Sequence, residues 1–372
     1  MINKFFYSLF LIAVIFSSGN FVSGQKFNRD FQYIVDSVYA AHPTSTGIII
    51  SVITDQNEVW NYAVGISDKK TNSKLNAQQP VLIASNTKPY VSATILKLCE
   101  LKKLRITDPV KKYLPEKTLQ ELMLKGYQPD KITIAHLLSH TSGIDDYVND
   151  AYFEFVNNHK QYRWTREEQI ARAMNVGKVL GQPGDTFKYA DVNYLLLTEV
   201  IEKISGHPFY NAMRDLLSYK KLHLNATWFT LLEPQPPHTE KAAHQYWQKF
   251  SWDSYDLNPS WDLYGGGGMM ATMNDMALFF KYLFERKIIT DTNVLSLMYT
   301  PVTNKTFNNY CLGIRKLSFN GFTGYYHGGF WGTDVVYFPE LKTAIAIAVL
   351  EKTQRDIAAN ITQAILTVIT KN

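Results

Sequence analysis

The chain has 372 residues, 46% of them hydrophobic, and carries a formal net charge of +5. That suits one large domain or two intimate subdomains, with ample material for a core. The cationic doublets Lys102-Lys103 and Lys111-Lys112 sit on mixed segments, so the charge argues against a nucleic-acid partner.

The N-terminus reads as a secretory signal peptide over residues 1–24: Lys4, the apolar run FFYSLFLIAVIF, then small residues, with cleavage expected after Gly24. The run is too short for a comfortable bilayer span of about 20 residues, and no cysteine follows to take a lipid. An exported chain, periplasmic or secreted, with no stable membrane span is expected over residues 25–372. Next, FNRDFQYIVDSVYAAH places Phe31, Ile34 and Val38 at helical spacing. TGIIISVITDQNEVWNYAVGISD reads as two strands around Asp55-Gln56-Asn57, and SDKKTNSKLNAQQP as a polar loop. After VLIA and SNTK, Val91, Ile95 and Leu98 lie at i, i+4 and i+7. Proline is tolerated only in the first turn of a helix, so Pro89 puts the helix start near Asn86 and Ser85 at its edge.

Residues 105–262 read as a mostly helical lobe, broken at Pro109, Pro115, Pro129, Gly143 and Pro183-Gly184. NYLLLTEVIEKISG is an amphipathic helix stopped by Gly206. Residues 231–262 form an irregular excursion, aromatic over 246–261; its rings serve loop packing or a substrate. The glycine run 265–268 lacks a following Gly-Lys-Ser/Thr, so it is no phosphate loop. It reads as backbone packed close to a neighbour, followed by Thr272 as a helix N-cap. The last hundred residues read as a strand meander with an Asn320-Gly321 hairpin turn, the buried strand TAIAIAVL, and a final helix. The fold class is therefore α/β of the α+β type: a five-stranded antiparallel sheet flanked by terminal helices, with the helical lobe inserted. Cys99 and Cys311, inside apolar segments, read as buried thiols.

Ser-x-x-Lys occurs four times, so the spacing alone has no authority. Ser23/Lys26 straddles the expected cleavage, Ser67/Lys70 belongs to the polar loop, and Ser218/Lys221 lies near the end of a helix with no helix N-terminus to activate it. Ser85/Lys88 stands at a helix N-terminus, where the dipole and a backbone N–H favour developing negative charge, with the lysine one turn away on the same face. Serine needs a base, and a lysine with a pKa of about 10.4 is a poor one until its surroundings change it. His136 and His140 lie at i, i+4, but Leu137 stands where the zinc-protease motif needs Glu and no third ligand is apparent. Both read as structural, and no metal or cofactor is expected.

Ser85-Asn86-Thr87-Lys88, preceded by apolar residues and followed by a helix, resembles the first motif of the serine β-lactamase and penicillin-binding protein superfamily. LRITDPVKKYLPE (104–116), ITIAHLLSHTSGI (132–144), QPGDTFKYADVNYLLLTEVIEKISG (182–206) and YYHGGFWGT (325–333) are similar, in order, to its class C β-lactamase, DD-peptidase and esterase branch. The resemblance implies a serine hydrolase working through an acyl-enzyme on D-amino-acid peptides, β-lactams or esters. A cell-wall peptidase or esterase is favoured; an efficient class C-type β-lactamase and a non-catalytic penicillin-binding sensor are the alternatives. For the family's Tyr-x-Asn motif, Tyr189-Ala190-Asp191 has better flanks than Tyr147-Val148-Asn149, and Tyr189 is implied as a proton shuttle. Asp191 departs from the usual Asn: a carboxylate only accepts hydrogen bonds, and facing Lys88 it would keep that lysine protonated. His327-Gly328-Gly329 stands for the third motif, with His327 orienting Tyr189 or the substrate and the two glycines lying against it. The N–H groups of Ser85 and Phe330 are the implied oxyanion hole.

Overall fold

The computed structural model describes residues 21–302 and 309–371. Residues 1–20, which carry most of the expected signal peptide, lie outside them. The first helix, Phe21–Ala41, begins ahead of the expected cleavage point.

Seven strands form one antiparallel sheet: β1 (Gly47–Ile53), β2 (Val59–Asp68), β3 (Ser73–Lys74), β4 (Arg315–Phe319), β5 (Phe322–Gly329), β6 (Thr333–Phe338) and β7 (Thr343–Val349). Their order is β3-β2-β1-β7-β6-β5-β4, which brings the two ends of the chain together at β1 and β7. The α+β architecture is as expected, with two strands more than the five read from sequence. Both edges account for this. The two-residue β3 pairs with the end of β2 across a register shift. At the other edge β4 pairs with β5 through Asn320-Gly321, whose φ values of +48° and +87° suit a tight hairpin. Ser67 belongs to β2 rather than to the loop, and its hydroxyl donates to the Ser73 carbonyl at 3.3 Å.

Strand alternation explains why the apolar runs are continuous. Ile48, Ile50 and Val52 of β1, with Ile345, Ile347 and Val349 of β7, face the terminal helices Phe21–Ala41 and Ile357–Lys371. On the opposite face β7 presents Ala344, Ala346 and Ala348. These small side chains let the helix Met273–Phe284 pack directly on the sheet. That helix is capped as expected, with the Thr272 hydroxyl accepting from the Asp275 N–H at 3.1 Å.

The helical lobe contains Glu116–Leu124, Ile134–Leu138, Asp150–Asn158, Arg166–Val176, Val192–Ser205 and Phe209–Leu216. Gly206, at φ +72°, closes the fifth of these. A helix over Thr87–Glu100 packs against Val192–Ser205. A small sheet of Val81–Leu82, Met269–Ala271 and Thr227–Phe229 lays the residues before Ser85 beside the glycine run. The excursion 231–262 contains a short hairpin, Tyr246–Trp247 with Trp252–Asp253, and its Trp247, Trp252 and Trp261 are buried. Cys99 and Cys311 are free thiols, and Cys311 precedes β4 rather than lying within a strand. Among the described residues, no helix is long and apolar enough to cross a membrane.

Candidate active site

Ser85 lies in the turn Ala84–Asn86, directly ahead of the helix Thr87–Glu100. Pro89 therefore falls in the first turn, where its missing N–H costs nothing. Ala84 has φ +47°, a conformation that a side-chain-bearing residue adopts at a cost of order 1–3 kcal/mol. The surroundings hold it there. Asn86 Nδ2 donates to the carbonyl and the hydroxyl of Thr333 at 3.0 and 2.9 Å, and the Thr333 hydroxyl donates to the Ile83 carbonyl at 3.0 Å. Gln245 bonds both backbone groups of Leu82, at 2.8 and 3.0 Å, and the Trp331 carbonyl at 3.1 Å. The turn is thus tied to the sheet and to the aromatic excursion at once.

Lys88 is fully buried. Its Nζ reaches Ser85 Oγ at 3.0 Å, Asp191 Oδ1 at 2.6 Å and the Gly266 carbonyl at 2.6 Å. A carbonyl and a carboxylate can only accept, so two N–H bonds are committed. The third position, towards Ser85, can hold either an N–H or the lone pair of a neutral amine. The geometry therefore serves both protonation states. Burial alone would strip the proton from Lys88, but the Asp191 carboxylate, and after it Tyr189, outweigh burial and hold its pKa well above the usual lysine range.

Tyr189 closes the other side. Its hydroxyl interacts with Ser85 and Lys88, and Lys88 Nζ lies 4.8 Å from its ring centre. Burial raises this phenol most, Lys88 opposes, Asp191 adds to the rise, and the net shift is upward. Asp191 ends the same short segment as the first residue before helix Val192–Ser205, and its N–H donates to Asp146 Oδ1 at 3.0 Å. Two more carboxyls lie near. Burial and then the Asp191 charge push Asp146 up, and push Asp262 up to about 7. The glycine run fits between these groups. A Cβ on Gly266 would lie 3.1 Å from Asp191 Cβ, and one on Gly267 would lie 2.3 Å from Asp262 Oδ1. The expectation of closely packed backbone there holds, and the neighbours are Asp191 and Asp262.

His327 faces this group from β5. Its Nε2 is 3.3 Å from the Tyr310 hydroxyl, its Nδ1 is 3.0 Å from the Gly328 carbonyl, and its ring centre is 6.4 Å from that of Tyr189. Burial first, and Lys88 next, keep it neutral. His140 is closer to Tyr189, with ring centres 4.3 Å apart, and its Nδ1 accepts the Ala190 N–H at 3.2 Å. His136 caps its own helix through Thr133, at 3.1 and 3.3 Å. The two expected glycines part company, because strand residues alternate faces. A Cβ on Gly329 would sit 2.3 Å from the Ile83 carbonyl beside Ser85, whereas one on Gly328 would meet Tyr326, Arg355 and Asp334 on the other face. The α-carbon of Gly328 therefore faces these three side chains, and a substrate contact there would come from its backbone alone. Phe330 lies one residue past the last ladder pair, Gly329–Thr333, in a turn closed by Gly332 N–H to the Gly329 carbonyl at 3.2 Å. The N–H of this second turn residue takes no part in that closure, as an oxyanion donor requires.

Asn86, Thr333, Gln245, His140, Tyr310 and Asp262 were not among the expected site residues. Two of them had a sequence signal: Asn86, by its place inside the Ser-x-x-Lys motif, and His140, by its i, i+4 spacing from His136, which read as structural.

The Beta-lactamase family profile matches residues 35–367. The chain belongs to the β-lactamase family. This is a family of serine hydrolases, and the fold agrees with it. The chain is 25% identical over 259 residues to PbpX of Bacillus subtilis, a protein named for penicillin binding. That match covers 69% of this chain and 59% of PbpX, so the chain spans little more than half the length of that relative. A D-stereospecific amidohydrolase from Streptomyces sp. superimposes with a TM-score of 0.74 at 24% identity, over 89% of this chain and 98% of the other. The D-amino acid amidase of Ochrobactrum anthropi SV3, complexed with D-phenylalanine, gives 0.77 at 18% identity, over 93% and 99%.

Proposed function

We propose that the protein is an exported hydrolase that opens amides or esters of D-amino acids through an acyl-enzyme on Ser85. The observation that carries this reading is the Lys88 ammonium 3.0 Å from Ser85 Oγ, anchored on Asp191 and flanked by the Tyr189 hydroxyl. Ser85 attacks the carbonyl, and the oxyanion forms against the N–H groups of Ser85 and Phe330. The serine proton passes to Tyr189 in its phenolate form, which the adjacent Lys88 ammonium favours against burial and Asp191, and from there to the leaving group. Water then takes the same route to release the acyl group. Neutral His327 acts through Tyr310, keeping the far side of this relay free of a competing positive charge.

The D-amino-acid class is favoured by the names of the two structural neighbours, and ester cleavage by the resemblance of the sequence motifs. A carboxylate in the Tyr-x-Asn position cannot donate to a substrate amide carbonyl as an Asn would, which disfavours efficient β-lactam hydrolysis. The leader sequence supports export. D-phenylalanine amide, its L form, p-nitrophenyl acetate and nitrocefin, assayed with the wild type and Ser85→Ala, test the reading. Cleavage of the ester and the D-amide by the wild type alone is expected. Equal rates in Ser85→Ala would overturn the serine mechanism, and preference for the L-amide would overturn the substrate class.

A further inference from the structure

The turn Lys352–Gln354 follows β7 and places a lysine against the aromatic excursion. Lys352 Nζ lies 4.1 Å from the ring centre of Trp247 and 4.4 Å from that of Phe330. Phe330 is the residue whose N–H is the proposed oxyanion donor. Its ring is also enclosed by Phe153 at 5.6 Å, Trp247 at 5.1 Å and Trp261 at 5.2 Å. The result is an aromatic wall beside the oxyanion turn with a cation laid across it.

Among the described residues, Lys352 forms no ion pair. The neighbouring Glu351 is already engaged, by Lys69 at 3.5 Å, by the Gln248 N–H at 3.1 Å and by the Thr353 hydroxyl at 2.9 Å. The other cations near Lys352 are Lys249, which shares the Trp247 ring and pairs with Asp150 at 3.7 Å, and Arg355, which is held by Asp334 at 3.3 Å. A half-buried ammonium without a carboxylate loses hydration and gains only the aromatic faces in return. Such an arrangement is stable in its charged form when an anion completes it.

We infer that Lys352, over Trp247 and Phe330, is the docking point for a carboxylate of the substrate, set to one side of the carbonyl that Ser85 attacks. This deepens the hydrolase reading and rests on it. The Trp247 and Phe330 faces take the apolar part of the group that bears the carboxylate, while Lys249 and Arg355 already have carboxylate partners in Asp150 and Asp334. Burial, then Arg355 and Lys249, push the Lys352 amine down to about 8. The preference for an anion is therefore full below that pH and fades above it as the amine loses its proton.

Binding is measured to the Ser85→Ala protein, which requires no turnover, with N-phenylacetylglycine and its neutral amide as probes, followed by tryptophan fluorescence. The acid is expected to bind about tenfold tighter than the amide, a preference typical of one charge-assisted contact. Lys352→Met in that background removes the preference, Lys352→Arg keeps it, and raising the pH from 7 to 9 erodes it. Equal binding of acid and amide to Ser85→Ala would overturn the proposal. So would a preference that survives in Lys352→Met. Wild-type protein that fails to react at Ser85 with a fluorophosphonate would sink the hydrolase reading instead, and the binding comparison would still read Lys352.

Discussion

Asp191→Asn is the substitution that most directly probes the electrostatics of the site. The carboxylate sits 2.6 Å from Lys88 Nζ in a buried setting. At an effective dielectric of about 20, a unit charge at that distance is worth about 6 kcal/mol of attraction. An asparagine keeps the shape and one accepting oxygen, so only part of this is lost. Half of it still corresponds to about 2 units of pKa. Asp191 raises both Lys88 and Tyr189, so its neutralisation lowers both. Whichever of the two takes the serine proton, the base becomes available at lower pH. The assay is the rate of Ser85 acylation by a fluorophosphonate between pH 5 and 10. The rising limb should move down by about 2 units in Asp191→Asn. A midpoint unmoved within about half a unit, or moved upward, would refute the claim that Asp191 sets the protonation of this relay. The same variant should change the rank order of amide, ester and β-lactam substrates; an unchanged order would show that Asp191 does not shape preference.

Three further outcomes follow from the geometry. Tyr189→Phe should lower kcat by about 10²–10⁴-fold while unfolding at the same temperature as the wild type, and retention of full kcat would exclude Tyr189 from the proton route. Gly329→Ala drives a Cβ into the Ile83 carbonyl and should lower kcat/KM by about 100-fold or more, whereas Gly328→Ala meets the movable ends of Tyr326, Arg355 and Asp334 and should keep most activity; equal losses would contradict the face assignment. Asp262, pushed up to about 7, keeps a proton in the folded state that the unfolded chain has already released, so it costs stability as pH rises from about 4 to 7. Urea unfolding should therefore show Asp262→Asn gaining on the wild type by up to about 3 kcal/mol between pH 5 and 8, and a constant gap would exclude that burden.

Local signals made the fold readable. Asn320-Gly321 announced its hairpin, Pro89 dated the start of the Ser85 helix, Gly206 and Thr272 marked helix ends, and the apolar run of β7 marked a strand buried on both faces. The edge strand β3 was harder, because it is two residues long; β4 was signalled by the Asn320-Gly321 hairpin, but it begins only after Cys311. Of the site, Ser85, Lys88, Tyr189 and Asp191 were visible through motif order, and the same order raised the contact of Asp191 with Lys88 as a condition. The supports were not. Asn86 meets Thr333 across 247 positions, and Gln245 meets Leu82 across 163. Nothing local distinguishes a buried glutamine that braces a turn from one on a surface. Gly328 and Gly329 read alike in sequence and separate only when the strand's alternation is fixed by its neighbours.

The central claim is that Ser85 is a nucleophile activated by Lys88 and Tyr189. Intact mass and peptide mapping after brief exposure to a fluorophosphonate test it most directly. One adduct on Ser85 is predicted in the wild type, much slower labelling in Tyr189→Phe, and none in Ser85→Ala. A folded wild-type protein that takes no adduct at Ser85, or takes one equally well in Ser85→Ala, would contradict it.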